Sequence, residues 1–162
     1  MDAALLVFFG LCFLTATGGG IFRPGRWYET LRHPAWRPPN YVFAPVWIVL
    51  FVLIAISGWL VWRDAGGSSA GQTAMTVYGL QLVLNFLWSA LFFGMRRPGL
   101  ALLEMSLLWI SIAILIWLFA PINTLAAMLL VPYLLWVSFA FALNYTLWSL
   151  NRGKGSGELS SL

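Results

Sequence analysis

The residues of this chain that could do chemistry recur at helical spacing. Gln81, Asn85 and Ser89 are four residues apart, so on a helix they share one face beside Trp88. Two other four-residue series are rich in aromatic residues: Phe43, Trp47, Phe51; and Pro132, Trp136, Ala140, Asn144. One polar anchor among aromatic side chains is typical of a cavity for a large, flat, mostly apolar ligand. The alternative is that these series are helix-packing faces.

Few other side chains could catalyse a reaction. The chain has a single histidine, His33, and a single cysteine, Cys12, which we expect to be a small buried apolar residue. No metal cluster or nucleophile–base pair is visible, so any chemistry would come from the ligand. His33 lies beside a proline, and we do not expect it to ligate haem iron. Glu104 is expected to reach the membrane interface and pair with Arg96 or Arg97, the alternative being a proton or ligand site.

The elements that must position these residues are membrane-spanning helices. Hydrophobic residues make up 61% of the chain, too many for a soluble domain of this size to bury. About 20 apolar helical residues cross a bilayer, and five runs qualify. The predicted spans are Ala3–Phe22, Phe43–Trp62, Thr73–Met95, Gly99–Phe119 and Thr124–Leu150. We predict an all-α membrane protein in which residues 1–150 form a single five-helix bundle and residues 151–162 form a disordered cytoplasmic tail.

The distribution of basic residues predicts the orientation. With five spans, eight of the nine basic residues fall on one side of the membrane. They are Arg23, Arg26, Arg32, Arg37, Arg96, Arg97, Arg152 and Lys154. The positive-inside rule therefore predicts a cytoplasmic first loop and C-terminus and an outside N-terminus. The charge gives no indication of nucleic-acid binding. The expected location is a bacterial inner (plasma) membrane, with an organellar membrane as the alternative.

The long loop between the first two spans is predicted to be structured. After Pro24, a short amphipathic helix would place Trp27, Tyr28 and Leu31 on one side, and Pro34 would end it. Such a segment could anchor the chain at the interface or cover the cavity. Its arginines could bind an anionic ligand group or phospholipids.

Several motifs together resemble the TspO/MBR family of tryptophan-rich sensory proteins and translocator proteins. Trp27-Tyr28, residues 34–39 (PAWRPP) and residues 43–47 (FAPVW) resemble its first loop and second helix. Residues 85–88 (NFLW) with 92–94 (FFG) resemble its third helix, and residues 131–136 (VPYLLW) with Leu143-Asn144 its fifth.

The resemblance implies a homodimer in the lipid bilayer that binds porphyrins such as protoporphyrin IX or haem, with no required cofactor and no resident metal. By motif match, the implied ligand-binding residues are Tyr28, Pro38, Phe43, Trp47, Phe51, Asn85, Trp88, Trp136 and Ala140. The family's sterol pattern needs a basic residue within about six positions after its tyrosine. Here Tyr145 is followed by Arg152, one position too far, which argues against sterol binding through that motif.

We therefore predict a porphyrin receptor or carrier that acts in tetrapyrrole sensing, regulation or transport. The alternative is a light-dependent enzyme that degrades protoporphyrin, in which Trp47 and Trp136 would be the catalytic residues. An alternating-access transporter is less well supported, because five spans do not divide into inverted repeats. A ligand-free scaffold is the fourth possibility.

Overall fold

The computed structural model describes residues 2–153, and every regular element in that range is helical. Five segments are long and apolar enough to cross a membrane. They are Ala3–Ile21, Asn40–Ala65, Ser69–Gly94, Pro98–Phe119 and Thr124–Asn151. The prediction of an all-α membrane protein with five spans is confirmed, and the predicted ends differ from these by no more than four residues.

Seven α-helices make up the described chain. They are α1 (Ala3–Ile21), α2 (Arg26–Thr30), α3 (Asn40–Ala65), α4 (Ser69–Ser89), α5 (Pro98–Phe119), α6 (Thr124–Leu129) and α7 (Val131–Asn151). A π-helical turn, Ala90–Gly94, continues α4. Side chains cap three of the helices, because Asp2, Ser68 and Asn123 accept hydrogen bonds from the otherwise unpaired amides of their first turns.

The last span is not one continuous helix. Leu130 is a turn residue between α6 and α7, whereas the sequence predicted an uninterrupted helix over Thr124–Leu150. The physical reason is Pro132, which has no N–H to donate to the carbonyl four residues earlier.

The helices form a ring that is tightly closed at one end. α1 packs on α3 and α4, α5 packs on α4 and α7, and α6 packs on α3 and α5. At the α6 end, the buried Ser57 hydroxyl donates a 2.8 Å hydrogen bond to the Ala126 carbonyl and so ties α3 to α6. By contrast, α3 and α7 approach each other at only a few positions. The space between these two helices is therefore not filled by backbone packing toward the other end of the bundle.

The other end is covered by the first loop, and we call residues 23–39 the lid. Trp27, Tyr28 and Leu31 are buried there, as predicted for one face of a short helix. The lid helix ends at Thr30, earlier than the predicted stop at Pro34, because Leu31 is already extended.

The C-terminal end of α7 reaches the lid. Asn151, the first residue of the segment that was predicted to be a disordered tail, is the last residue of α7 and is 4% exposed. Residues 152 and 153 of that segment form a turn, and residues 154–162 lie outside the described part of the chain.

Candidate ligand-binding cavity

A cavity of about 450 Å³ lies under the lid, between α1, α3, α4 and α7. This volume lies within the range of small-molecule sites, roughly 300 to 1,000 Å³. The predicted site residues that line it are Tyr28, Phe43, Trp47, Phe51, Asn85, Trp88, Trp136 and Ala140. Pro38 does not line it. The predicted residues on α3, α4 and α7 that meet here, from Phe43 to Ala140, are up to 97 positions apart in the chain.

The walls of the cavity are aromatic rings held by other rings. Trp47 lies 5.5 Å from the ring of Phe51 and 6.3 Å from that of Tyr133, measured between ring centroids. Opposite, Trp136 meets Phe43 edge-on at 5.7 Å. Rings in such arrangements stabilise each other beyond their buried area and keep their planes fixed. The cavity therefore presents flat apolar surfaces to an occupant.

The polar anchor is part of a buried relay of three side chains. The Asn85 amide nitrogen donates to the Tyr133 hydroxyl at 2.7 Å, and that hydroxyl donates to Gln81 Oε1 at 2.9 Å. Tyr133 and Gln81 are both 0% exposed. The relay uses one of the two N–H bonds of the Asn85 amide, so its carbonyl oxygen and its second N–H remain for a ligand. The carbonyl oxygen suits a ligand that carries an N–H or O–H.

Two tryptophans and one asparagine that line the cavity carry polar groups without a hydrogen-bond partner. The indole N–H groups of Trp88 and Trp136 are buried without a hydrogen-bond partner, and so are both amide atoms of Asn144. Buried polar groups are normally paired, because leaving them unpaired costs free energy. These atoms have almost no accessible surface, so a ligand in the cavity would pair with them only after the side chains rotate.

Two hydrogen bonds hold the lid closed. The Arg32 backbone N–H donates to Asn151 Oδ1 at 2.9 Å, and Asn151 Nδ2 donates back to the Arg32 carbonyl at 3.1 Å. The lid ring that lines the cavity belongs to Tyr28, which packs on Phe92 and Phe93 at centroid distances of 6.1 and 5.6 Å. The lid is thus tied to α7 and packed on the end of α4.

Arg37 and His33 of the lid both contact Tyr28. The Arg37 guanidinium lies over its ring, 5.5 Å from the centroid, and a ring nitrogen of His33 hydrogen-bonds to its carbonyl at 2.9 Å. Burial raises the pKa of Tyr28, an effect that Arg37 partly offsets. Burial lowers the pKa of His33, and the positive charge of Arg37 lowers it further. His33 therefore acts in lid packing, and its ring lies against Tyr28 at 4.8 Å.

Sequence reasoning missed the cavity wall that α1 supplies. Thr15, Ala16, Gly19 and Gly20 line the cavity, and their small size makes room for it. Four small residues at i, i+1, i+4 and i+5 near one helix end were the available signal. Tyr133 was also missed as a site residue, although it stands three positions before Trp136 on α7.

Glu104 differs from its expected position at the interface. It is 7% exposed, and both carboxylate oxygens are buried without a partner. The expected pairing with Arg96 or Arg97 is not among the ion pairs of the described residues. The reason is helical register, since Ala101, Met105 and Leu108 on the same face of α5 all point into the bundle.

The sequence matches known proteins over nearly its whole length. The profile of the TspO/MBR family matches residues 8–149. The "Tryptophan-rich protein TspO" of Chlorobaculum tepidum is 40% identical over 145 residues, which is 88% of this chain and 92% of that protein. The "Protein CrtK" of Rhodobacter capsulatus is 36% identical over 148 residues, 91% of this chain and 92% of that protein. The human "Translocator protein" is 38% identical over 134 residues, 82% of this chain and 79% of that protein.

Proposed function

Because the chain is an integral membrane protein that belongs to the TspO/MBR family, we propose that it binds porphyrins, such as protoporphyrin IX or haem, in the cavity under the lid. Its role is that of a receptor or carrier in tetrapyrrole sensing, regulation or transport. The observation that carries the proposal is the cavity itself, with flat aromatic walls from α3 and α7 and one buried amide anchor on α4.

The chemistry of a porphyrin suits both ends of this cavity. A macrocycle offers two apolar faces to Trp47 and Trp136, and a metal-free ring offers N–H groups to the Asn85 carbonyl oxygen. Porphyrin carboxylates would lie toward the lid, where Arg23 and Arg26 are exposed. Arginine binds carboxylates through a planar fork of donors, which favours this orientation.

The proposed orientation in the membrane follows from the same arginines. The lid and the Arg96–Arg97 turn carry the basic residues, so the positive-inside rule places the lid end of the bundle in the cytoplasm. A bacterial plasma membrane is the proposed location.

A homodimer is also part of the proposal. Of the small residues on α4 and its π turn that could bring two copies together, Gly71 packs on the Ala65 carbonyl and Gly94 on the Phe22 ring of the same chain. Gly79 is exposed with open space around it. The outward face of α4 around Gly79 is the proposed contact.

Light-dependent degradation of protoporphyrin is the second candidate function. It is favoured by the placement of Trp47 and Trp136, since two electron-rich indoles line the cavity in which an excited ring would sit. These two residues are the catalytic candidates under this alternative. Conversion of the porphyrin into a defined product under light and oxygen distinguishes the enzyme from a receptor.

The test is a titration of purified protein with protoporphyrin IX in the dark, followed by tryptophan fluorescence with an inner-filter control. Saturable quenching is expected, and it should weaken in Asn85→Ala and Trp136→Phe. Trp117→Phe is the matched control, because this tryptophan is 74% exposed on α5 and does not line the cavity. Quenching that does not saturate, or that is indifferent to the two cavity variants, would refute porphyrin binding at this site.

A further inference from the structure

A second concavity, a groove of about 610 Å³, lies on the outer surface between α3 and α7. All of its lining residues are apolar, among them Val46, Val49 and Leu53 on α3 and Leu135 on α7. Val49 is 57% exposed and Leu135 65% exposed, in the middle of two membrane spans. The groove therefore faces the hydrocarbon of the bilayer.

One side chain, Trp136, lines both the groove and the cavity. Its ring meets Phe43 of α3 at 5.7 Å and is supported by Phe139 at 5.3 Å. Its indole N–H makes no hydrogen bond, so only packing holds the ring in place. A rotation of this single ring would join the two spaces.

The backbone beside the groove is weakened on both sides. Pro45 stands inside α3 and Pro132 in the first turn of α7, and both line the groove. Pro45 removes one hydrogen bond inside α3, because it has no N–H, and Pro132 begins α7 directly after the break at Leu130. These two helices also approach each other at only a few positions, so little packing has to be broken for them to separate here.

The route under the lid is closed more firmly. Opening it breaks both hydrogen bonds between Arg32 and Asn151 and exposes Trp27, Tyr28 and Leu31 to water. Rotation of the Trp136 ring breaks no hydrogen bond and exposes apolar surface only to lipid chains, which are as apolar as the side chains themselves.

We propose that the groove between α3 and α7 is an outer binding site and passage through which a flat apolar ligand dissolved in the bilayer reaches the cavity, with Trp136 as the movable wall. The inference rests on the proposed function, since the ligand in the passage is the one that the cavity holds. Continuity with the cavity through Trp136 and a purely apolar lining that suits the flat ring faces of the ligand favour this occupant.

The first test measures the rates of protoporphyrin IX binding and release by the full-length protein in lipid nanodiscs in the dark. Val49→Trp and Leu135→Trp fill the groove without touching the cavity, and each should slow both rates by about tenfold while the dissociation constant, their ratio, stays the same. Phe139→Ala removes the support of Trp136 and should speed both. Leu103→Trp is the matched control, because Leu103 is 65% exposed on α5 and does not line the groove.

The second test needs no porphyrin. In protein labelled with fluorotryptophan, lipids with a nitroxide on the acyl chain should broaden the fluorine signal of Trp136, which is assigned with Trp136→Phe. Trp117 on the lipid face is the positive control, and the buried Trp27 of the lid is the negative control.

The outcomes separate the two proposals. Broadening of Trp136 without saturable porphyrin binding refutes the porphyrin function and supports lipid-side access to the cavity wall. If porphyrin binding saturates but its rates are the same in Val49→Trp and Leu135→Trp as in the unmodified protein, the passage is overturned. This holds whether or not the fluorine signal of Trp136 is broadened, because broadening would then report only an acyl chain in the groove. A change of rates in Asn151→Ala alone would place entry under the lid and also overturn it.

Discussion

Replacing Asn151 by alanine should loosen the lid. The Asn151 side chain makes both hydrogen bonds to the Arg32 backbone and a third, of 2.8 Å, to the carbonyl of Leu147 in its own helix. Only the first two join the lid to α7, so the substitution removes the polar link between them. The aromatic packing of Tyr28 and Trp27 stays in place.

The magnitude follows from those two bonds. A typical hydrogen bond contributes about 0.5 to 1.5 kcal/mol net, so two contribute about 1 to 3 kcal/mol. Arg32 is exposed, and water can take over its freed N–H and carbonyl, which places the effect in the lower half of that range. A loss of about 1 to 2 kcal/mol raises the ratio of open to closed lid by a factor of roughly 5 to 30.

Amide hydrogen exchange in nanodiscs measures this ratio. The amides of Arg32 and of α2 should exchange about 5 to 30 times faster in Asn151→Ala, while amides of α3 to α5 stay unchanged. Asn123→Ala is the matched control, because Asn123 caps α6 at the opposite end and donates to Asp64 at 2.7 Å. Equal exchange of the lid amides in the two variants would refute the role of Asn151.

Three other outcomes can be checked directly. Gly58→Ala should destabilise the bundle by about 1 to 3 kcal/mol, because the new Cβ would lie 2.6 Å from a neighbouring tyrosine ring. Gly10→Ala, at an exposed position of α1, meets nothing within 4 Å and should be neutral or stabilising; thermal unfolding in detergent compares the two variants. Tyr133→Phe leaves two buried amide side chains without their partner and should cost about 1 to 3 kcal/mol in the same assay, and an unchanged midpoint would contradict the relay. Burial and a neighbouring arginine lower the pKa of His33 below its usual 6.5, so the closed lid favours the neutral ring. Hydrogen exchange of the lid amides, corrected for intrinsic rates, should therefore become faster as the pH falls from about 7.5 to 5.5. His33→Gln should abolish that rise.

Hydropathy and spacing were sufficient for the spans and for most of the cavity. A membrane helix must be apolar over about 20 residues, and this requirement makes the span ends visible in the sequence. Trp47, Trp88 and Trp136 each stand in or beside a four-residue series on one helix, so the helix faces that line the cavity were also visible in the sequence. Placement of Pro38 at the site was implied only by resemblance, and the structure puts it in the lid without contact to the cavity.

The features that escaped prediction depend on partners far away in the chain. The lid helix ends at Thr30, where Leu31 turns extended and the next residue, Arg32, pairs with Asn151, a contact across 119 positions that no local rule contains. Glu104 was expected at the interface because carboxylates avoid hydrocarbon, yet the register of α5 places it inside. The small residues of α1 carry no hydrophobic signal, although they determine the width of the cavity.

The cavity owes its position to the interruption of the last span. α6 packs on α3, whereas α7 packs chiefly on α5, so the chain changes neighbours across Leu130. The break at Leu130 lets α6 and α7 take different directions, so that α7 packs on α5 while it diverges from α3. Pro132 favours the interruption, because it cannot donate to the carbonyl four residues earlier and its ring crowds that carbonyl. Pro132 thus contributes to the separation of α3 from α7 that makes room for both the cavity and the groove. It stands one turn before Trp136, the residue that lies between these two spaces.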